Sequence, residues 1–310
     1  MPRSVLIRRD YRGYTGGHGK FRDYVAHVDA HALWRARVFL TGDSLRTPDN
    51  PFLDVAGLTE RWEPARADAL LLGGMDWQAL IGPSDPRQPI INLVQHVRHA
   101  DADSPLRPFL QRRAIRICNS TRVADALRAS GAVNGPLRVI ASAVDTAWLA
   151  GFDATARRYD VFVDAAKQPL LGQAVADLLQ AHGVSLQLHL ARTPLPDYLR
   201  AMASATVALT LPDPTEGIYL PGLNAMAIGR ALVQPDCVGS RDYVVDGINA
   251  LVPARSPAAM AEAVRAVLAD DRSRACMVAA GRLTAKAFDL AVERRQVHAL
   301  LDELDDLWTF

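Results

Sequence analysis

Residues Val207 to Val252 read VALTLPDPTEGIYLPGLNAMAIGRALVQPDCVGSRDYVVDGINALV. An apolar, β-rich run, Val207–Leu211, stops at a Pro-rich turn, Pro212-Asp213-Pro214. Glu216-Gly217-Ile218-Tyr219-Leu220-Pro221 then leads into a short helix over Gly222–Ile228, and a second apolar run follows at Ala231–Gln234. Strand, tight loop, helix and strand in succession form the repeating unit of a parallel sheet covered by helices. Ligands of such sheets bind beyond the carboxyl ends of the strands. The amides from Gly217 to Leu220 fall at the helix start, where N–H groups lack intrahelical partners and the dipole is positive, an arrangement suited to a diphosphate. Glu216, just ahead, is placed to accept hydrogen bonds from ligand hydroxyls, and Asn224 to reach a ribose hydroxyl. A buried strand–turn–helix in which Glu216 caps the helix and Asn224 is merely tolerated accounts for the same residues equally well.

The alternation extends over the whole chain. In the first half, strand candidates are Ser4–Ile7, Arg37–Leu40, Ala69–Leu72, Ile90–Gln95, Ile115–Asn119 and Leu137–Ala141. A glycine-rich loop, Tyr11–Gly19, follows the first of them, then an amphipathic stretch from Phe21; Thr121–Ser130 has helical periodicity and stops at Gly131. The pattern restarts at Tyr159–Val163, with a helix through Gln180, a strand at Ser185–Leu190, a helix at Pro196–Ala205 and a further strand at Ala250–Val252. Helices over Pro257–Ala269, Arg272–Phe288 and Val292–Leu307 close the chain, the last amphipathic and free to pack back across the domain boundary. Ser142–Arg158 is the linker candidate. The 310 residues suit two domains of about 150 each: 1–145, 146–290, and a returning helix at 291–310.

Bulk properties exclude several classes. Apolar residues make up 49% of the chain and the net charge is +1, without a basic run of five or more, so nucleic acid is not an expected partner. Only Lys20, Lys167 and Lys286 are lysines. Cys118, Cys237 and Cys276 are scattered and read as reduced thiols. The segment Met1-Pro2-Arg3-Ser4 lacks the apolar core of an export signal, and no apolar run approaches the ~20 residues of a membrane span. The expectation is a cytoplasmic protein whose membrane contact, if any, is peripheral. Asp101-Ala102-Asp103 is the only Asp-x-Asp triplet and lies several residues past a strand end. No His-Glu-x-x-His, Gly-x-Ser-x-Gly or Walker motif occurs, so no metal is expected.

Glu216, Gly217, Leu220, Pro221, Ala225, Met226, Ala227 and Gly229, continued by Asp236, Gly239, Asp246-Gly247 and Ala280-Gly281-Arg282, resemble the donor-binding region of the retaining GT-B glycosyltransferases of family 4. The resemblance covers about the last hundred residues. It implies an α/β chain of two Rossmann-like domains facing across a cleft, the first for the acceptor and the second for a nucleotide sugar. Three positions depart from the family pattern. Asn224 replaces a second glutamate; Tyr219 replaces a glycine, which sets a large side chain beside the donor sugar; and Phe162 stands where an arginine usually precedes Lys167 by five residues.

The resemblance extends to other candidates. Lys167, after a strand and before a helix, is expected to neutralise the departing diphosphate. Gly16 and Gly17, in Tyr14-Thr-Gly-Gly-His-Gly-Lys20, resemble the Gly-Gly loop that faces donor and acceptor, although a plain turn also fits. His96, closing the strand before it, matches a histidine that contacts the donor sugar; His99 and His18 compete for that role. Arg192, after the strand Ser185–Leu190, is a further candidate for the base or phosphates, or a surface arginine. His27, His31, His182, His189 and His298 read as structural.

The activity implied is a metal-independent, retaining, hexosyltransferase-type glycosyltransferase of polysaccharide or glycoconjugate synthesis. Its co-substrate is a nucleotide-diphosphate sugar, with no cofactor, and its acceptor a glycan, a lipid-linked molecule or a small molecule. Glu216 and His96 are the catalytic candidates; Gly16, Gly17, Lys167, Gly217, Ile218, Tyr219, Leu220 and Asn224 the donor-binding set. Asn224 and Phe162 favour a rival reading, a GT-B-shaped binding or assembly subunit without transferase activity. A two-domain solute-binding receptor shares the alternating pattern but normally carries an export signal.

Overall fold

The structure is a computed structural model and describes residues 2–80 and 85–309. It divides into two compact units, Met1–Ser142 with Ala291–Phe310, and Ala143–Leu290.

Unit 1 contains β1 (Arg3–Arg9), α1 (Gly16–Asp29), β2 (Trp34–Leu40), β3 (Leu58–Thr59), β4 (Ala69–Gly73), β5 (Ile90–Val94), β6 (Ile115–Cys118), α2 (Thr121–Ala129) and β7 (Leu137–Val139). The strands form one parallel sheet in the order β3-β2-β1-β4-β5-β6-β7, with Val5 in register with both Ala36 and Ala69. ALLLG and IINLV are buried at every position, as strands covered on both faces require. The glycine-rich segment departs from the expected loop. Helix α1 begins at Gly16, because Thr15 caps it by accepting a hydrogen bond from the His18 amide at 3.2 Å. Arg116, in β6, is wholly buried and donates to the carbonyls of Phe109, Leu110, Arg112, Ala114 and Asn134; burial lowers its pKa to about 10.

Helices in the closing stretch are α9 (Leu290–Asp302) and α10 (Leu304–Trp308), broken at Glu303 where one continuous helix was expected. Glu293 of α9 is 1% exposed and meets Lys20 of α1, 2% exposed, at 2.7 Å; Asp23 takes the other side of the ammonium at 2.7 Å. Burial alone lowers the Lys20 pKa, but the two carboxylates override it and the net shift is upward.

Unit 2 contains α3 (Thr146–Ala150), β8 (Tyr159–Asp164), α4 (Pro169–Ala181), β9 (Leu186–His189), α5 (Leu195–Ala203), β10 (Ala205–Thr210), α6 (Leu220–Ile228), β11 (Ala231–Val233), α7 (Pro257–Ala269) and α8 (Asp271–Ala287). Its parallel sheet runs β11-β10-β8-β9. Ala250–Val252 meets the sheet through one isolated bridge, Leu251 to Val233, while Ala250 bridges to Asp246, so the expected fifth strand is a single contact point. The linker candidate is folded too: it carries α3, and Val144 exchanges backbone hydrogen bonds with Phe288 and Leu290 at 2.9 and 3.0 Å. Helix α6 is apolar almost all round and buried through Ala225–Ile228, and Gly229 ends it in the left-handed conformation at φ +81°. The Arg282 guanidinium lies against Gly229 and binds Asp153 at 2.6 Å; buried Arg230 binds the same carboxylate.

Candidate functional site

In unit 2 strand order reverses between β8 and β10, since β9 lies on one side of β8 and β10 on the other. A crevice opens at the carboxyl edge of a parallel sheet where the crossovers part in this way. Lys167 follows β8 into this region and Glu216 follows β10. The structure brings them together: the Lys167 ammonium forms an ion pair with Glu216 Oε1, the two side chains being 39% and 12% exposed. The same carboxylate oxygen accepts the Asp213 amide at 3.3 Å, and Gln168 donates to the Asp213 carboxylate at 2.5 Å. Two loops far apart in sequence are thereby fastened around one cation.

The junction from Glu216 into α6 is shaped by the turn at Gly239. A Cβ on Gly239 would lie 2.9 Å from both Glu216 Cβ and Ile218 Cα, so only glycine permits this approach. The Gly239 carbonyl accepts the Tyr219 amide at 3.1 Å. This corrects the expected cradle of amides from Gly217 to Leu220, because the Tyr219 N–H is already engaged. The helix proper starts at Leu220, Pro221 has no N–H, and no side chain caps this end. Leu220 and Gly222 carry the first-turn amides. Gly217 is buried and Ile218 half-buried beside them.

Tyr219 also departs from expectation. Its side chain is 3% exposed and turned inward, with its hydroxyl 3.4 Å from Asp164 Oδ2 and its carbonyl accepting from the Tyr243 hydroxyl at 2.5 Å. It does not stand in the open beside a sugar. The Lys167 ammonium lies 5.6 Å from its ring centroid. Tyr198 donates to the same Asp164 oxygen at 2.8 Å, and His189 packs edge-on against Tyr198. Burial raises the Asp164 pKa, with the tyrosine hydrogen bonds opposing it. The sequence reading missed this buried carboxylate; its one signal was an acid at the last position of an apolar strand. Phe162 is fully buried in the core, so the family's arginine has no counterpart there. Asn224 is half-buried one turn into α6, its side chain with no hydrogen-bond partner among the described residues; Arg192 is exposed on the loop after β9.

In unit 1, Gly16 and Gly17 form the first turn of α1 at the carboxyl edge of β1. A Cβ at Gly17 would lie 3.7 Å from the Gln95 side chain, so this turn adjoins the segment just after β5, where His96 lies. The half-buried His96 ring accepts the Arg98 amide on Nδ1 at 3.0 Å, which fixes its proton on Nε2 when neutral. His18 is drawn inward and does not join His96. It packs between Tyr11 and Phe52, accepts from Arg9 at 3.3 Å, and has its pKa lowered to about 4, by burial first and then by Arg9. His99 is buried and likewise lowered to about 4. Among the described residues no group of three or more His, Cys, Asp or Glu side chains is placed to share a metal, and no helix is long and apolar enough to cross a membrane.

Solved structures of other proteins share this fold. The chain resembles a sucrose-phosphate synthase from Thermosynechococcus elongatus, with a TM-score of 0.72 at 13% identity over 97% of this chain and 99% of that one. It resembles HepE of Anabaena, solved in complex with UDP-glucose, with a TM-score of 0.69 at 15% identity over 97% and 100%. A glycosyltransferase from Rickettsia africae follows at 0.64, 9% identity and 98% of both chains. The fold is GT-B. Residues 154–270 match the family described as glycosyl transferases group 1, and that GT-B domain occupies most of unit 2. The matched stretch begins before β8 and ends with α7, so it contains both Lys167 and Glu216. No curated protein matches the sequence.

Proposed function

We propose that this GT-B chain is a retaining glycosyltransferase of glycan or glycoconjugate synthesis, taking its sugar from a nucleotide-diphosphate donor held by unit 2 without a metal. The observation that carries the reading is the Lys167–Glu216 ion pair beside the uncapped start of α6. The two charges satisfy one another. A diphosphate takes over Lys167 and the Leu220 and Gly222 amides, and Glu216 is released to accept hydrogen bonds from sugar hydroxyls. UDP-glucose bound to HepE makes uridine nucleotides the first to test.

In the reaction the bond from the anomeric carbon to the phosphate oxygen breaks, and the acceptor oxygen bonds to that carbon. Retention brings the acceptor to the face from which the diphosphate departs, so a departing phosphate oxygen is placed to receive the acceptor's proton. Lys167 stabilises the charge developing on that leaving group, and positioning supplies much of the rest. Within unit 1, Gly16 and Gly17 present bare backbone at the carboxyl edge of β1, and His96 is the candidate there for contact with a bound sugar.

Calorimetry of the full chain with UDP, GDP, ADP and UDP-glucose tests the reading. Lys167→Ala is expected to weaken diphosphate binding about tenfold or more, while Glu216→Ala removes the gain that the sugar contributes. Unchanged affinity and unchanged donor hydrolysis in both variants would refute it. Fully buried Phe162 and neutral Asn224 favour one second reading, a nucleotide-binding subunit without transfer; it predicts the same binding with no release of sugar.

A further inference from the structure

Strand order also reverses in unit 1, between β1 and β4, the setting in which a parallel sheet forms a crevice at its carboxyl edge. Arg8 and Arg9 are the last two residues of β1, and Asp76 sits in the 3-10 turn Gly74–Ala79 that follows β4. Both arginines share that one carboxylate, Arg8 on Oδ1 at 3.2 Å and Arg9 on Oδ2 at 2.8 Å. The side chains of Arg8, Arg9 and Asp76 are 23%, 13% and 6% exposed, so two guanidiniums against one acid leave a positive charge largely sheltered from water.

The two arginines are not equivalent. Arg9 is built in: it stacks 3.9 Å over Phe21, reaches His18 Nδ1 at 3.3 Å and completes the grip on Asp76. Asp76 is further held by the Gly73 amide at 3.1 Å, so its charge is met without Arg8. Arg8 makes only the one longer bond, and its Nε and Nη2 have no partner among the described residues. Asp10, the next residue along, is held by the Thr41 hydroxyl at 2.7 Å and by Arg12 at 3.0 Å. Nε and Nη2 of Arg8 are not among the buried atoms left without a partner, so they reach solvent, from which an anion can take them. The guanidinium fork suits a phosphate. Tyr14 and Met75, from the loops after β1 and β4, are 40% and 42% exposed and offer apolar surface for the body of a ligand.

We propose that this crevice binds the acceptor, and that the acceptor is phosphorylated, its phosphate read by Arg8. The inference rests on the glycosyltransferase reading for the word acceptor, but the phosphate site can be measured without it. Full-length protein is titrated with inorganic phosphate, with a hexose 6-phosphate, with the parent hexose and, separately, with UDP. The expected result is that the hexose 6-phosphate binds and the parent hexose does not. Arg8→Gln weakens the hexose phosphate about ten- to hundredfold and leaves UDP within twofold, whereas Lys167→Ala does the reverse. Arg8→Lys, which keeps the charge and loses the fork, falls between; it carries the test if the glutamine variant does not fold. No phosphate binding to the wild type, equal binding in the variants, or a UDP loss in Arg8→Gln matching the phosphate loss overturns the proposal. A protein that binds the hexose phosphate through Arg8 but no nucleotide diphosphate upholds the site and removes the transferase reading.

Discussion

Removing the ammonium of Lys20 tests how α9 is held to α1. The Nζ atom lies 2.7 Å from Glu293 and 2.7 Å from Asp23, and each contact is worth about 6 kcal/mol at an effective dielectric of ~20. Desolvation of the buried ions offsets most of that gain. In Lys20→Met the offset disappears for the lysine but not for Glu293, which remains buried without its partner. The expected loss is about 3–5 kcal/mol. At roughly 2–4 °C per kcal/mol for a unit of this size, the unit 1 transition falls by about 6–20 °C. Tryptophan fluorescence reports it selectively, because Trp34, Trp62, Trp77 and Trp308 belong to unit 1 and only Trp148 to unit 2. Lys20→Met with Glu293→Leu should recover most of the loss, since the orphaned charge is gone as well. Because the Lys20 pKa is raised in the fold, the stabilisation is complete below about 10.5 and lost only as pH rises through the higher value. A single variant that melts within 2 °C of the wild type, or a double variant no better than the single, refutes the reasoning.

Two further outcomes are expected. His18 and His99 drop from 6.5 to about 4 on folding, so between those values the unfolded chain holds more protons and stability falls as pH is lowered through the window, by about 1–3 kcal/mol for each histidine. Urea titrations across pH 4 to 7 should show a shallower slope when both histidines are replaced by glutamine; an unaltered slope contradicts the assignment. Gly229→Ala places a side chain at φ +81° against the Arg282 guanidinium, and should destabilise unit 2 by about 1–3 kcal/mol. Thermal melts by differential scanning calorimetry check this, and an unshifted midpoint would mean the turn relaxes freely.

Much of the architecture was legible because apolar strands buried on both faces announce themselves without alternation: Ala69–Leu72 and Ile90–Gln95 were placed within a residue of β4 and β5. The start of α1 was hidden because two poor helix formers, Gly16 and Gly17, occupy its first turn and only the Thr15 cap marks it. Lys167 and Glu216 were each legible as strand-end residues, but their pairing was not, since 49 positions separate them. The inward turn of Tyr219 depended on Asp164 and Tyr243, partners that no local pattern reveals. Arg8 escaped notice for the same reason, as Asp76 reaches it only through the sheet.

The scarcity of lysine has a practical consequence. With Lys20 sealed inside unit 1, only Lys167 and the exposed Lys286 offer side-chain amines to an acylating reagent in the folded protein. Lys286, on α8, supplies an internal standard for the labelling of Lys167. The ratio of the two adducts by mass spectrometry then becomes a readout of occupancy at the proposed diphosphate site, obtained from the unaltered chain.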